Sequence, residues 1–236
     1  MRSVPDLHAD VASQPVFSDE AKSVVNKLAK LSKSKLMELM NINEALAKVN
    51  FHRYKNFHSQ PTVQESTAAL HAFHGEVYWG IESETMDLDD ILFANDALRI
   101  LSGMYGYLKP MDRIQPYRLE MGTKISIGRR PDLYAYWSQL ITSHVLSELE
   151  AHSCPEVVNL ASEEYSRVID QKNLPSPMIN IEFKERREGK LRSIQTYMKR
   201  ARGNMARQIV QKKIANPEDL KMLDVNGYQY SSDWSN

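Results

Sequence analysis

Apolar residues recur at helical spacing in some segments of this chain and at strand spacing in others, and the two patterns alternate irregularly. Helical spacing predicts helices over residues 18–31, 43–57 and 87–101, a helix from Pro131 to 149, and a basic helix over 198–214. Another helix is predicted to follow an N-cap at Ser34. Short apolar runs predict strands over 75–80, 157–160, 178–183 and 191–197. Because the strands are separated irregularly, the sequence predicts an α+β fold rather than a regular doubly wound sheet.

The chain contains no internal repeat, low-complexity tract or obvious linker, and its 236 residues with 42% hydrophobic content suffice for an ordinary core. We therefore predict one mixed domain over residues 18–236, with a mixed sheet and surrounding helices. Residues 1–17 are polar, carry Pro5 and Pro15 and lack periodicity. They are predicted to form an irregular N-terminal arm.

Cys154 is the only cysteine, which excludes an intramolecular disulfide and fits a reducing compartment. The first residues lack the apolar core of a signal peptide, and no stretch approaches the length of a membrane span. These features predict a cytoplasmic protein without a membrane partner.

Thirty basic residues balance thirty acidic ones, so affinity for nucleic acid must come from local segregation of charge. Residues 184–213 show the strongest segregation, with eleven basic residues against Glu185 and Glu188. Such a block is typical of phosphate-binding surfaces, because neutralised phosphates release counterions. A solvated surface helix preceded by a basic hairpin explains the block equally well. The basic residues are Lys184, Arg186, Arg187, Lys190, Arg192, Lys199, Arg200, Arg202, Arg207, Lys212 and Lys213.

Helical geometry divides the last basic segment into two faces. Met198, Ala201, Met205 and Ile209 form an apolar stripe that is predicted to face the core. The opposite side carries Arg200, Gly203 and Arg207. Glycine inside a helix costs about 1 kcal/mol relative to alanine, so its presence requires a close approach of a ligand or of another backbone. Either a phosphate lies over the glycine between two arginines, or the glycine packs against another element while the arginines pair with acidic side chains.

The segment from Leu101 to Pro110 places Gly103 and Gly106 in a turn, with Lys109 close behind. Glycine-rich turns after helices can present backbone amides to a phosphate, as the hairpin of a helix-hairpin-helix module does. The spacing is one residue longer than is usual in that module. A helix C-cap followed by a plain loop is the alternative interpretation.

Two further segments place polar side chains beside apolar ones. Arg118 and Glu120 would share one face of an extended segment, where they form a salt bridge or line a cleft with Lys124. The stretch after the apolar pair Val157-Val158 reads as a strand end with a capped turn, in which Ser162 is a candidate N-cap. Alternatively, it forms a cleft at the carboxyl end of the strand. The residues that would offer hydrogen bonds there are Asn159, Ser162, Glu163 and Tyr165.

Familiar catalytic signatures are missing from the sequence, which contains no Walker loop, dinucleotide fingerprint, nucleophile elbow or zincin helix. His71 and His74 could share a helix face, but no carboxylate or cysteine stands at ligand spacing beside them. We therefore predict no cofactor and no metal, and no catalytic residue is assigned.

Together these segments resemble the YaaA family of peroxide stress proteins from about Ser18 to Tyr230. The family begins with a hydrophobic strand and a Ser-Pro-Ala-Lys stretch, for which residues 1–14 offer no counterpart, so the chain is expected to lack that lysine. The segments that carry the resemblance are Phe73–Tyr78, Leu98–Gly103, Pro110–Thr123, Asn159–Ser162 with Glu164–Tyr165, and Lys199–Arg207.

The resemblance implies a protein of the hydrogen peroxide response that limits iron-driven damage and protects DNA. It also implies an unusual α/β fold with a helix-hairpin-helix element and a basic cleft. Our leading hypothesis is a non-enzymatic or weakly enzymatic protein of the oxidative-stress response that binds double-stranded DNA with little sequence specificity. The phosphate contacts would come from Lys199, Arg200, Arg202, Gly203 and Arg207, and from Gly103, Gly106 and Lys109.

Two other functions are compatible with the same residues. The first is an enzyme acting on a nucleotide or nucleic acid, with Arg118, Glu120, Asn159, Glu163 and Tyr165 in a cleft. The second is an interaction module whose basic helix meets an acidic protein, because charge alone does not distinguish that partner from nucleic acid. Sequence alone predicts neither the substrate nor the oligomeric state.

Overall fold

The computed structural model describes residues 1, 9–58, 61–152, 154–187 and 190–235, and it combines helices with short strands. The predicted α+β class is confirmed. Part of the predicted N-terminal arm, residues 2–8, lies outside the described residues. The α-helices are α1 (Ser18–Leu28), α2 (Lys33–Met40), α3 (Glu44–Lys55), α4 (Ala69–Ala72), α5 (Glu76–Ile81), α6 (Leu88–Ala97), α7 (Leu133–Ala151), α8 (Glu163–Ser166) and α9 (Gln195–Gln211).

The strands pair two by two, and both parallel and antiparallel pairs occur in the described part of the chain. Strand β1 (Thr67–Ala68) pairs with β4 (Arg113–Ile114), β2 (Ile100–Ser102) with β3 (Gly106–Leu108), and β7 (Glu185–Arg187) with β8 (Lys190–Arg192), all antiparallel. Strand β5 (Val158–Asn159) pairs in parallel with β6 (Ile179–Asn180). Short 3-10 helices cover Ala9–Val11, Ser83–Thr85, Gln171–Asn173, Pro217–Met222 and Ser232–Trp234.

Several helices begin at a side chain that caps them. Asn43, Asp87 and Asp132 accept hydrogen bonds from the backbone N–H of Leu46, Asp90 and Ala135. Each bond satisfies an N–H that the first helical turn leaves unpaired. The predicted N-cap at Ser34 is wrong, because Ser32 accepts the hydrogen bond from Lys35 N–H and α2 begins at Lys33. The longest helix, α7, begins at Leu133.

The glycine-flanked segment 75–80 was predicted as a strand, and this prediction is wrong. Glu76 to Ile81 form helix α5, which starts after Gly75 in a left-handed conformation and ends at Glu82, also left-handed. Its partner is helix α9, more than a hundred residues away in sequence. Tertiary packing therefore overrides the local strand preference of Val77 and Tyr78.

Among the described residues, three hydrophobic clusters form the interior. The largest joins α1, α2, α3, α7 and the β2–β3 hairpin around the fully buried Trp137. The second joins β1, α4, α5, α6 and part of α9, and it includes Leu70, Ile91 and Met111. The third lies between the other side of α9 and the C-terminal segment, with Phe183, Leu220 and Val225. Helix α9 therefore lies between two clusters.

Within the described residues, no helix combines the length and the apolar character that crossing a bilayer requires.

Candidate functional site

Helix α9 carries the strongest concentration of predicted contacts, and its apolar stripe packs as expected. Ala201 and Met205 are buried in the third cluster, and Met198 and Ile209 are partly buried against it. The predicted core-facing stripe is thus confirmed. The side chains of α9 outside this stripe determine which ligands the helix can contact.

Gly203 lies against helix α5 rather than under an open surface. A Cβ at this position would be 1.9 Å from the carbonyl oxygen of Val77 and 3.0 Å from the Cα of Gly80. Both distances are far below van der Waals contact, so only glycine permits the two helices to approach so closely. The predicted phosphate position over Gly203 is therefore corrected: the backbone of α5 occupies that space.

Arg207 closes the end of α5. One of its guanidinium nitrogens donates to the carbonyl oxygens of Ile81 at 3.0 Å and Glu82 at 3.1 Å, and to Thr85 Oγ1 at 2.7 Å. The Glu82 carboxylate lies 3.6 Å away. These are the carbonyls that the end of a helix leaves unpaired, so Arg207 acts as a C-terminal cap supplied by another helix. Its guanidinium is not presented beside Arg200 for a shared phosphate.

The first turns of α9 are open to solvent. Lys199 is exposed, and the Arg200 side chain is half exposed with its guanidinium 3.9 Å from the Glu76 carboxylate. Arg202 is half buried, and burial lowers the pKa of its guanidinium although Glu182 opposes that shift. No described group hydrogen-bonds its buried Nε. Lys199 and Arg200 are the predicted phosphate ligands that this helix leaves accessible, whereas Arg202 is half buried.

A basic hairpin precedes α9 directly. Arg186, Lys190 and Arg192 are exposed on strands β7 and β8, and Lys184 pairs with Glu182 at 2.5 Å. The Tyr228 hydroxyl donates to Glu185 at 2.9 Å and ties the hairpin to the third cluster. The side chain of Arg187 and residue Glu188, which belong to the predicted basic block, lie outside the described part of the structure.

The Gly103–Gly106 turn is buried. It joins β2 to β3, and a Cβ on Gly103 would be 2.6 Å from the carbonyl oxygen of Leu119. Gly106 has φ +70°, and a Cβ there would meet the Trp137 ring at 2.5 Å, while Trp137 Nε1 donates to the Gly103 carbonyl at 3.0 Å. The prediction that these amides face a phosphate is therefore wrong, because side chains and backbone cover them. Lys109, just beyond β3, keeps a partly exposed side chain.

The polar residues after Gln115 lie on an extended segment with a strict alternation. From Tyr117 to Ile127, every second residue is buried and the residues between are exposed. Arg118 donates to Glu120 across this face at 2.9 Å, which confirms the predicted pairing. Lys124 is also exposed and follows a turn in which Thr123 N–H donates to the Glu120 carbonyl oxygen at 3.1 Å.

The second polar segment contacts this one through Glu164, which was not among the predicted cleft residues, and through Tyr165, which was. Glu164 accepts a hydrogen bond from Gly122 N–H at 2.9 Å, and the Tyr134 hydroxyl donates to the Glu164 carbonyl. Tyr165 hydrogen-bonds the Met121 backbone, and burial, with the charges of Glu164 and Glu120, raises its pKa to about 12. The structure therefore brings Tyr165 to the Glu120 segment.

The remaining predicted cleft residues have local roles. Asn159 donates from Nδ2 to Asn180 at 2.8 Å and accepts from Ala161 N–H, which fixes the end of β5. Ser162 occupies the N-cap position of α8 as predicted, but its side chain makes no capping hydrogen bond. Glu163 is exposed. Of this set, Tyr165 reaches the Arg118–Glu120 face most directly.

A carboxylate cluster around Glu148 was not predicted. Arg99 donates to both carboxylate oxygens, at 2.8 and 3.1 Å, and the Tyr107 hydroxyl donates at 2.5 Å. His144 and Lys109 approach at 3.6 and 3.9 Å. Burial raises the pKa of the Glu148 carboxyl, but the hydrogen bonds from Arg99 and Tyr107 outweigh burial and hold it below its usual value. The i, i+4 spacing of His144 and Glu148 on α7 was the one sequence signal for this cluster.

The lowered pKa predicts a dependence of stability on pH. Because the folded-state pKa of Glu148 is depressed, its ionised form stabilises the fold above the unfolded pKa of about 4.3, and this contribution disappears as pH falls through the folded-state pKa. Glu148→Gln should lower the free energy of unfolding near pH 7, and the difference in this free energy between variant and wild type should decrease below about pH 4. Urea denaturation of both proteins at several pH values measures this difference. Glu150→Gln, an exposed change on the same helix, is the matched control, and a gap for Glu148→Gln that is independent of pH would contradict the assignment.

The two histidines considered for metal binding have other partners. His71 Nδ1 lies 2.9 Å from Ser83 Oγ, and His74 Nε2 accepts from Trp79 Nε1 at 3.1 Å. Across the part of the chain that the structure describes, no group of three or more His, Cys, Asp or Glu side chains is arranged to hold a metal ion.

Known proteins resemble this chain over nearly its whole length. The family model described as "Peroxide stress protein YaaA" matches residues 2–234. A UPF0246 protein of Polynucleobacter necessarius subsp. necessarius (strain STIR1) is 41% identical over 216 residues, which are 92% of this chain and 84% of that protein. A UPF0246 protein of Ralstonia nicotianae (strain ATCC BAA-1114 / GMI1000) is 41% identical over 221 residues, which are 94% of this chain and 86% of that protein.

Proposed function

The chain belongs to the peroxide stress protein YaaA family, and we propose that it acts in the peroxide stress response by binding double-stranded DNA with little sequence specificity. The binding surface would be the N-terminal half of α9 together with the β7–β8 hairpin, which we call the basic surface. DNA bound there would be less open to iron-driven oxidative damage. The proposal rests on one observation above all: the cations at the start of α9 and on the hairpin before it are accessible.

The charge of the basic surface supports phosphate binding. Lys184 pairs with Glu182 at 2.5 Å, and Arg200 lies 3.9 Å from the Glu76 carboxylate. The surface also carries other exposed lysines and arginines, whose charge a bound phosphate backbone can neutralise while it releases its own counterions. The accessible cations are Lys184, Arg186, Lys190, Arg192, Lys199 and Arg200.

The same geometry favours contacts to the backbone of the nucleic acid over contacts to base edges. Helix α9 packs against hydrophobic clusters on two sides, and its Arg207 side chain caps the C-terminal end of α5. The helix therefore cannot lie along a major groove. Long lysine and arginine side chains on one exposed end can still reach phosphates. The basic surface should therefore bind DNA duplexes with little dependence on their base sequence.

Replacing Lys199 and Arg200 together with alanine tests the proposal. Each lost phosphate contact should reduce the slope of log affinity against log salt by about 1, so the slope should fall by about 2. Affinity for an arbitrary duplex at low salt should fall roughly tenfold or more. Fluorescence anisotropy with two duplexes of unrelated sequence, titrated over a salt series, measures both quantities.

The matched control is Lys22→Ala with Lys48→Ala, which removes the same charge from the exposed faces of α1 and α3. This control should retain the wild-type slope. Equal losses in both double variants would indicate a diffuse charge effect and would refute the basic surface. Unchanged unfolding transitions in both variants show that the fold is intact.

The protective role can be tested with the same variants in cells. Survival of a strain lacking the protein should be restored under hydrogen peroxide by the wild-type chain and by the control variant, and less well by the Lys199/Arg200 variant. Full rescue by the Lys199/Arg200 variant would separate peroxide resistance from DNA binding.

An enzyme acting on a nucleotide or nucleic acid is the second candidate function. The observation that favours it is the junction of Tyr165 with the Arg118–Glu120 face, where a raised tyrosine pKa and an ion pair lie together. Glu120→Gln should then abolish turnover of nucleotide or DNA while leaving DNA affinity unchanged. Absence of any turnover by the wild-type protein argues for the binding function.

A further inference from the structure

Two exposed aromatic side chains border the basic surface, one on each of the two helices that meet at Arg200. Tyr197 is 52% exposed and lies three residues before Arg200 on α9, so the two side chains share one side of that helix. Trp79 is 40% exposed and lies three residues after Glu76 on α5. The Glu76 carboxylate is 3.9 Å from the Arg200 guanidinium. Each helix therefore brings an aromatic ring to the neighbourhood of this guanidinium.

The Tyr197 side chain has no role in the packing of α9. The third hydrophobic cluster contains Met198 and Met205 of this helix but not Tyr197. Among the described residues, none forms a hydrogen bond or a ring contact with its side chain. Arg192 precedes it on the hairpin and Lys199 follows it on the helix, and both are exposed. An exposed aromatic ring among cations is typical of surfaces on which unpaired bases stack while cations contact the phosphates.

Trp79 is exposed as well, and its orientation is restricted. Its Nε1 donates to His74 Nε2 at 3.1 Å, and the two rings meet edge to face with centroids 5.2 Å apart. The indole belongs to none of the three hydrophobic clusters. A ring that is already held in place loses little conformational entropy when a base stacks on it, so Trp79 is suited to this contact.

We propose that Tyr197 and Trp79 stack on unpaired bases while Lys199 and Arg200 contact the phosphates, so that the basic surface binds single-stranded DNA more tightly than duplex. Bases inside a duplex stack on one another, and their faces are closed to a protein side chain. Every base has a π face, so stacking keeps the sequence specificity low. The inference rests on the function proposed above and adds the class of DNA that the basic surface prefers.

Three DNA probes of equal length, about twelve nucleotides, test the preference. The first is a thymidine strand, the second is the same strand with abasic residues in place of the nucleosides, and the third is a duplex. The abasic strand keeps every phosphate, so its comparison with the thymidine strand isolates the bases. Fluorescence anisotropy at about 150 mM salt should show the full chain binding the thymidine strand about tenfold more tightly than the abasic strand, and more tightly than the duplex. Equal affinity for the two strands, or tighter binding of the duplex, would overturn the proposal.

Variants of the two aromatic residues locate the stacking. The double variant Tyr197→Leu with Trp79→Leu keeps apolar side chains but removes both rings, so its affinities for the thymidine and abasic strands should become nearly equal. Tyr197→Phe is the matched control, because it keeps the ring and should retain the wild-type preference. A double variant that keeps the tenfold preference would contradict the assignment. Thermal unfolding of each variant verifies that the fold is intact.

The Lys199→Ala and Arg200→Ala double variant separates this proposal from the one on which it rests. If the basic surface is correct, this variant binds all three DNA probes more weakly than wild type. If none of the three affinities changes, the basic surface itself is refuted, and the stacking with it. If all three fall while the wild-type protein binds the thymidine and abasic strands alike, the phosphate contacts stand and only the stacking is refuted.

Discussion

Gly203→Ala is expected to destabilise the protein by about 3 kcal/mol, even though alanine is the better helix former by about 1 kcal/mol. The added methyl would lie 1.9 Å from the Val77 carbonyl oxygen, and that oxygen belongs to a helical backbone that cannot rotate away. The two helices must therefore separate, and the second cluster between α5, α6 and α9 would lose contacts over Ala206 and Val210. Equilibrium urea unfolding measures the change.

Lys199→Ala is the matched control because it introduces alanine into the same helix at an exposed position. Its free energy of unfolding should stay within about 0.5 kcal/mol of wild type. If Gly203→Ala is as stable as this control, α5 and α9 do not approach as closely as the structure has them. Gly80→Ala offers an independent check, since its Cβ would be 2.4 Å from the Arg200 carbonyl oxygen.

Trp137→Ala is expected to be the most destabilising single substitution, at about 3–5 kcal/mol. The indole is fully buried in the largest cluster, and its Nε1 supplies the hydrogen bond to the Gly103 carbonyl. Its removal leaves both a cavity and an unpaired carbonyl in the β2–β3 turn. Thermal and urea denaturation measure the loss. Trp79→Ala, which truncates a partly exposed tryptophan, is the control and should cost about 1 kcal/mol or less.

Gly106 offers a second test of how Trp137 packs, because a side chain at position 106 would overlap the indole ring. Alanine at Gly106 would lie 2.5 Å from the indole in the wild-type protein, so it should cost about 3 kcal/mol. In the Trp137→Ala background that collision disappears, and the remaining cost is the left-handed conformation, about 1 kcal/mol. The two changes should therefore be non-additive by about 2 kcal/mol. Strict additivity would contradict the packing of the indole on Gly106.

Local sequence signals predicted those parts of the fold that neighbouring residues determine. The helices predicted from residues 43 and 87 begin directly after Asn43 and Asp87, because helical spacing involves residues only three or four positions apart. The alternation around Arg118 and Glu120 predicted their shared face, since it depends only on the extended backbone. In each case the partner lies close in sequence.

The features that sequence did not predict depend on distant partners. Segment 76–81 has a strand-like composition and becomes a helix because α9 covers it. Gly203 was correctly predicted to need a close approach, and the second of its two explanations holds, but nothing local identifies Val77 as the neighbour. Glu148 gathers Arg99 and Tyr107 from more than forty residues away, so a cluster of this kind is recognised only in three dimensions.

The position of α9 between two clusters also bears on how the protein is made. The second cluster is built largely from residues 68–111, yet Ala206 and Val210 complete it. During synthesis these apolar surfaces would be translated well before the helix that covers them, and a nascent chain would present them to solvent or to chaperones in the interval. Pairing across such a separation is slow, because loop closure must precede the gain from contact. Aggregation during expression should therefore be most sensitive to changes in α9, because this helix makes the last contacts with the second cluster.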